Sequence, residues 1–195
     1  MTSRWRHTSP AELAEWLANA PACWAFAGGW ALDLWAGEPG RAHSDIEITC
    51  LRRDLDSLVS ALSGFEIVAA QNKQLSPWNA GAVPSPPFSL WLRRYGESQW
   101  DFEVLAEAHN QEAWQYRRDA RICLPMDRLF RRSAEGWSII APEVQLLYKC
   151  KAPRDKDIAD LHHFMPLLDD VSRNWLFAAV ALAHPETLPL LPGGR

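Results

Sequence analysis

Leu13, Trp16 and Leu17 fall on one side of a helix begun by Ser9-Pro10-Ala11-Glu12. Ser9 can cap its first turn, Pro10 suits the first helical position, and Glu12 stands where a capping box needs an acid. The pattern predicts a helix to about Ala20, ended by Pro21. The short apolar run Cys23–Ala27 predicts a buried strand. After Gly28-Gly29, residues Trp30–Trp35 take up helical spacing until Gly37-Glu38-Pro39-Gly40. Asp45-Ile46-Glu47-Ile48-Thr49 alternates acid and apolar with the two-residue period of a strand. A helix over Asp54–Leu62 and a strand over Phe65–Val68 follow, and 71–87 read as a loop or a ragged hairpin. Two further strands, Phe88–Arg93 and Gln99–Leu105, flank the turn Tyr95–Ser98, and Arg121–Cys123 forms another short strand. Beyond Pro142 the chain reads as helices over 143–151, 156–166 and 171–183.

This order predicts an α+β core over residues 1–140 and a helical subdomain over 141–195, with no linker or repeat between them. Apolar residues make up 48% of the 195, enough for a sizeable core. Eleven tryptophans point first to a Trp-rich core, with an aromatic-lined cleft as the sharper alternative. Acids outnumber bases 24 to 20. That argues against a chain-wide electrostatic grip on nucleic acid, though it leaves room for a local basic groove. The four cysteines show no C-x-x-C spacing, and no apolar stretch reaches the roughly 18 residues of a membrane helix. Reduced thiols and a cytoplasmic setting are expected.

Candidate chemistry lies in three places. Residues i and i+2 of a strand share a face, about 6.5–7 Å apart, so Asp45 and Glu47 project to one side. Two such carboxylates repel each other and call for a cation. Mg²⁺ takes oxygen ligands, commonly one or two carboxylates plus substrate phosphates. Alternatively the pair is the solvent face of an amphipathic strand. Gly28-Gly29 before a helix offers free backbone N–H groups and the positive end of a helix dipole to phosphate, or is an ordinary tight turn. Asp101 and Glu103 form a second i, i+2 acid pair that could supply a third carboxylate.

Taken together, Gly28-Gly29-Trp30-Ala31-Leu32-Asp33 and Arg41-Ala42-His43-Ser44-Asp45-Ile46-Glu47-Ile48 resemble the signature of the polymerase-β nucleotidyltransferase superfamily. The nearest likeness is to its aminoglycoside 2″-adenylyltransferase and lincosamide nucleotidyltransferase group. Trp100–Val104, Pro142–Lys149 and Lys156–Leu161 continue the resemblance, which spans roughly residues 20–185. It implies a mixed sheet flanked by helices, one or two Mg²⁺ ions, and a nucleoside triphosphate (ATP first) as co-substrate. Asp45 and Glu47 would ligate the metal. Asp101 would be the third acid, as ligand or as base, with Glu103 competing for that role. Gly28 and Gly29 would hold the triphosphate, and Lys149 would reach the phosphates. Two departures stand out: Glu47 replaces the commoner Asp, and Trp30 replaces a Ser.

Arg41 and His43 are candidates for phosphate or acceptor contact, or else loop residues that brace the acid strand. Asp33 reads as a brace for the loop. Lys149, Lys151, Arg154 and Lys156 read as a solvated helix face or as a phosphate cluster. His162 and His163 point about 100° apart on a helix and read as structural. Arg117, Arg118 and Arg121 read as surface or as neighbours of the acidic cleft. The implied reaction moves a nucleoside monophosphate onto a hydroxyl of a small acceptor, an aminoglycoside-like cation first because the chain is acidic. Transfer to a protein or RNA, and a nucleotide-binding module without turnover, are the other readings. All require Asp45, Glu47 and Asp101 to meet beside the diglycine.

Overall fold

The computed structural model describes residues 4–78 and 88–193. Among these, eight strands form one mixed sheet in the order β4-β3-β5-β6-β2-β1-β10-β9. At its centre β1 (Trp24–Ala27) runs antiparallel to β2 (Glu47–Leu51), and β2 runs parallel to β6 (Phe102–Glu107). On one side follow β5 (Ser89–Arg94), β3 (Phe65–Gln71) and β4 (Gln74–Pro77), all antiparallel. On the other, β10 (Ser138–Ile140) lies parallel to β1, with β9 (Phe130–Arg132) outside it. A separate hairpin pairs β7 (Ala113–Tyr116) with β8 (Asp119–Pro125), which contains the expected strand 121–123.

Helix α1 (Pro10–Trp16) begins with the expected capping box of Ser9 and Glu12. It stops four residues short of Ala20, because the residue before a proline is driven out of helical geometry and the chain tightens to i→i+3 bonds at Ala18 and Ala20. Helix α2 (Gly28–Ala36) includes the diglycine itself and ends on the left-handed Gly37. Residues 52–60 form a helical turn and α3 (Leu55–Ser60). Of 71–87, expected as a loop or a ragged hairpin, residues 71–77 hold the turn and second strand of the hairpin β3–β4, turned by Asn72 and Lys73, both with positive φ. Residues 79–87 lie outside the described chain. Beyond the short α4 (Met126–Leu129) and strands β9 and β10 come α5 (Pro142–Lys149), α6 (Asp155–Phe164) and α7 (Asp170–Ala183).

Phe26, Ile48, Leu90, Leu92 and Val104 of the central strands are buried with Leu13, Leu32 and Leu147 from the helices. Every tryptophan is buried or half-buried, as the core-first expectation required. Glu47, Thr49 and Glu103 occupy positions offset by one from that apolar set, so the sheet's other face carries the polar residues. Deep on it, Glu107 accepts hydrogen bonds from Thr49 Oγ1 (3.0 Å), Trp114 Nε1 (2.6 Å) and Tyr148 Oη (2.5 Å), a fully satisfied buried carboxylate. Among the described residues no helix is long and apolar enough to cross a membrane.

Candidate active site

Helix α2 starts where β1 ends, and two close approaches explain its two glycines. Gly28 has φ +68°, and a Cβ there would run into the Glu47 carboxylate. At Gly29 a Cβ would run into the His43 ring. The Gly28 N–H donates to Gln145 Oε1 of α5 (2.8 Å), which ties the helix start to the C-terminal helices. Any larger residue at position 28 would combine left-handed strain with a steric clash.

A polar cavity of about 240 Å³ opens at this junction, lined by Gly29, Trp30, Asp45, Glu47 and Glu103. Arg41, His43, Lys149, Arg154 and Lys156 complete its wall. Asp45 lies just before β2, while Glu47 and Glu103 are direct partners in the β2–β6 register. Burial pushes the Glu47 carboxyl up to about 7, with the charges of Glu103 and Asp45 adding to the rise and Lys149 and Lys156 opposing it. Glu103 is raised too, first by burial and then by Asp45, while Ser89, Trp91 and Arg117 pull it back. Here, then, carboxylates crowd together half-buried, and the cations of the same wall do not offset the rise.

Asp101 requires a correction: the required meeting of Asp45, Glu47 and Asp101 does not occur. Asp101 lies one residue ahead of β6, and its neighbour Trp100 is drawn into a bridge with Trp5. The two-residue alternation therefore does not reach it, and it does not share the face of Glu103. Its fully buried carboxylate accepts from Arg6 Nε (2.6 Å) and the Arg94 backbone N–H (2.8 Å), with the Arg94 guanidinium 3.4 Å away. Both guanidiniums lie over the Trp16 ring of α1. It lines none of the cavities that hold Asp45 and Glu47. Glu103, the competing candidate, occupies the place beside them.

The remaining candidates hold one another in place around the cavity. His43 Nε2 is 2.7 Å from Asp33 Oδ2, and its ring packs 4.8 Å from Trp30. Arg41 donates to both oxygens of Asp160 (3.0 and 3.1 Å), and Lys149 Nζ lies 2.7 Å from the same carboxylate and 3.6 Å from Asp157. Against the cost of burial, Asp160 is held below the usual carboxylate range by Arg41 and Lys149, and Asp157 by hydrogen bonds from Arg154 with Lys149 behind them. His162 and His163 stay outside the cavity: one meets the Leu190 carbonyl and the other packs on Phe164.

Sequence reasoning passed over Gln145. It sits one helical turn before Lys149, so the i, i+4 spacing within α5 was the signal that could have linked the two. Arg117 and Arg118, at the β7–β8 turn, line a second cavity of about 310 Å³ with Lys151 and Tyr148, next to Glu47 and Glu103. Arg121 pairs with Asp119 in solvent.

The mixed sheet and its flanking helices have the fold of solved antibiotic nucleotidyltransferases. Residues 11–78, which contain Gly28, Gly29, Asp45 and Glu47, match the family model described as aminoglycoside-2″-adenylyltransferase. The lincosamide antibiotic adenylyltransferase LnuA, solved with lincomycin bound, superposes with a TM-score of 0.57 at 16% identity, over 84% of this chain and 100% of LnuA. The solution structure of the antibiotic-resistance factor ANT(2″)-Ia gives a TM-score of 0.58 at 15% identity, over 89% of this chain and 90% of that one. A comparison with curated proteins finds no match.

Proposed function

We propose that this chain is a Mg²⁺-dependent nucleotidyltransferase that moves a nucleoside monophosphate, AMP first, from its triphosphate onto a hydroxyl of a small molecule. The observation that carries this reading is the cavity where Asp45, Glu47 and Glu103 face the first turn of α2 and Lys149, Arg154 and Lys156. The donor set fits a hard divalent cation: oxygen ligands, and carboxyls that raise one another's affinity for protons unless positive charge intervenes. Among the described residues no three His, Cys, Asp or Glu side chains close a metal site by themselves. An ion there would be held by Asp45 and Glu47 and completed by phosphate oxygens. Once bound, the ion neutralises charge on the phosphates and on these carboxylates.

The chain's own groups supply the rest. The start of α2 and Lys149 hold the triphosphate in place. Glu103, raised by burial, takes the proton of the acceptor hydroxyl. The acceptor oxygen then bonds to the α-phosphorus as the bond to the β-phosphate's bridging oxygen breaks, and pyrophosphate leaves beside Arg154 and Lys156. Arg41 and His43 position the loop before β2 through Asp160 and Asp33. Residues 141–195 act as a helical subdomain that delivers Gln145 and Lys149 to a core formed by 1–140.

The matched family is described by its action on aminoglycosides, and LnuA was solved with lincomycin, so both classes head the acceptor panel. Antibiotic modification is the corresponding biological role. A cytoplasmic setting suits the four unpaired cysteines. The test is incubation with labelled ATP, GTP, CTP or UTP, Mg²⁺ and that panel, for the wild type and Asp45→Ala. Label transfer that needs Mg²⁺ and disappears in the variant is expected. Undiminished transfer by Asp45→Ala, or no transfer together with absent nucleotide binding, refutes the reading.

A further inference from the structure

Beyond Glu103, away from the cavity of Asp45, the sheet face continues into a larger hollow of about 440 Å³. Trp91 and Phe88 of the β5 segment give it an aromatic wall, and its charged lining is Arg4, Lys73, Arg117 and Glu103. Three cations thus stand against one carboxylate. Residues 79–87, which follow β4, contain no charged side chain and leave that balance unchanged.

These cations are not spent on internal pairs. Among the described residues none of the three has a carboxylate within ion-pair distance. Arg4 lies over the Trp91 ring (4.3 Å), Arg117 lies over the Tyr148 ring (5.1 Å), and Arg117 Nε is buried without a hydrogen-bond partner. Aromatic faces fix the direction of a guanidinium without neutralising it. Arg41, Arg154 and Lys149, by contrast, are matched by Asp157 and Asp160. Arg117 also lines the neighbouring basic cavity, so it stands between the two hollows beside Glu103.

We infer that this hollow is the acceptor site and that it takes a hydroxyl-bearing small molecule with negative charge, carboxylate or phosphate, rather than a polycationic one. The inference rests on the proposed transferase reaction, since Glu103 is the group both share. It keeps the transfer reaction but departs from the cationic antibiotics of that acceptor panel: the hollow next to the base is locally basic, and local charge decides recognition.

The test titrates the wild type and Lys73→Glu with glucose 6-phosphate, gluconate and tobramycin in the presence of Mg²⁺ and a non-hydrolysable ATP analogue, following heat on binding. Lys73 sits at the exposed β3–β4 turn, away from the nucleotide cavity, so the fold and analogue affinity are kept. Expected are tighter binding of at least one anionic probe than of tobramycin, and an affinity for it about five- to tenfold weaker in Lys73→Glu. The two anions distinguish phosphate from carboxylate. Tobramycin binding more tightly, none of the probes binding, or an anion's affinity unchanged by Lys73→Glu overturns the acceptor assignment while analogue binding persists. Loss of analogue binding in the wild type sinks the transferase reading instead.

Discussion

Asp101 and Glu103 are two residues apart, yet they meet opposite environments. Under α1, Asp101 is enclosed by Arg6, Arg94 and a backbone N–H, and its charge is answered where it stands. On the sheet's other face Glu103 lies beside Glu47, and burial, with the charge of Asp45 added, drives its proton affinity up. One corner uses a carboxylate to bind the N-terminal arm to β5 and β6. The other leaves carboxylates short of positive charge, which an ion or a substrate can supply. Burial alone therefore does not mark a functional acid: Glu107 is buried more deeply than Glu103 and is satisfied by three donors. What sets the site apart is burial without an adequate partner.

Three substitutions press on this contrast. Glu103→Gln keeps the shape and removes the proton acceptor, and transfer is expected to fall by about 10²- to 10⁴-fold with little change in nucleotide affinity. Single-turnover rates and equilibrium binding of the nucleotide check this, and an unaltered rate would mean that Glu103 takes no proton. Asp101→Asn should do the reverse. Removing the charge shared by Arg6 and Arg94 costs about 2–3 kcal/mol of stability, less than a fully enclosed pair because both arginines keep some access to water. Urea unfolding measures it, and the folded variant should retain its turnover. A stable but inactive Asp101→Asn would put the third acid back at position 101.

The third effect is a pH slope. Between the ordinary carboxyl value of 4.5 and about 7, the folded protein holds a proton on Glu47 that the unfolded chain releases. Without metal, stability therefore falls as pH rises through that window. Glu47→Gln should flatten the slope, and Mg²⁺ should raise the melting temperature more at pH 8 than at pH 5. Thermal unfolding across pH reads both, and a variant with an unaltered slope would show that Glu47 is not the crowded acid.

Local chemistry made much of this legible from the residues alone. The Ser9–Glu12 box, the diglycine after an apolar strand, and the Asp45-Ile46-Glu47-Ile48 alternation each act over a few residues; the box forms where the pattern put it, the helix takes in the diglycine itself, and the strand begins at Glu47, two residues later than expected. Helices α5, α6 and α7 were legible from the same kind of periodicity. Short strands such as β7, β9 and β10 escaped, because three or four residues carry too little period to stand out and owe their pairing to distant partners.

By itself, the chain determined which kinds of side chain could do chemistry, since spacing along a helix or strand is fixed by backbone geometry. The tertiary structure chose among them. It broke the alternation at Trp100 and so gave Asp101 to Arg6 and Arg94 and Glu103 to the site, joined Gln145 to Gly28 across more than a hundred residues, and gathered Arg4, Lys73 and Arg117 around one hollow of an acidic protein. Such choices depend on which faces meet and which charges remain unanswered, and both are settled by contacts between segments far apart in the chain.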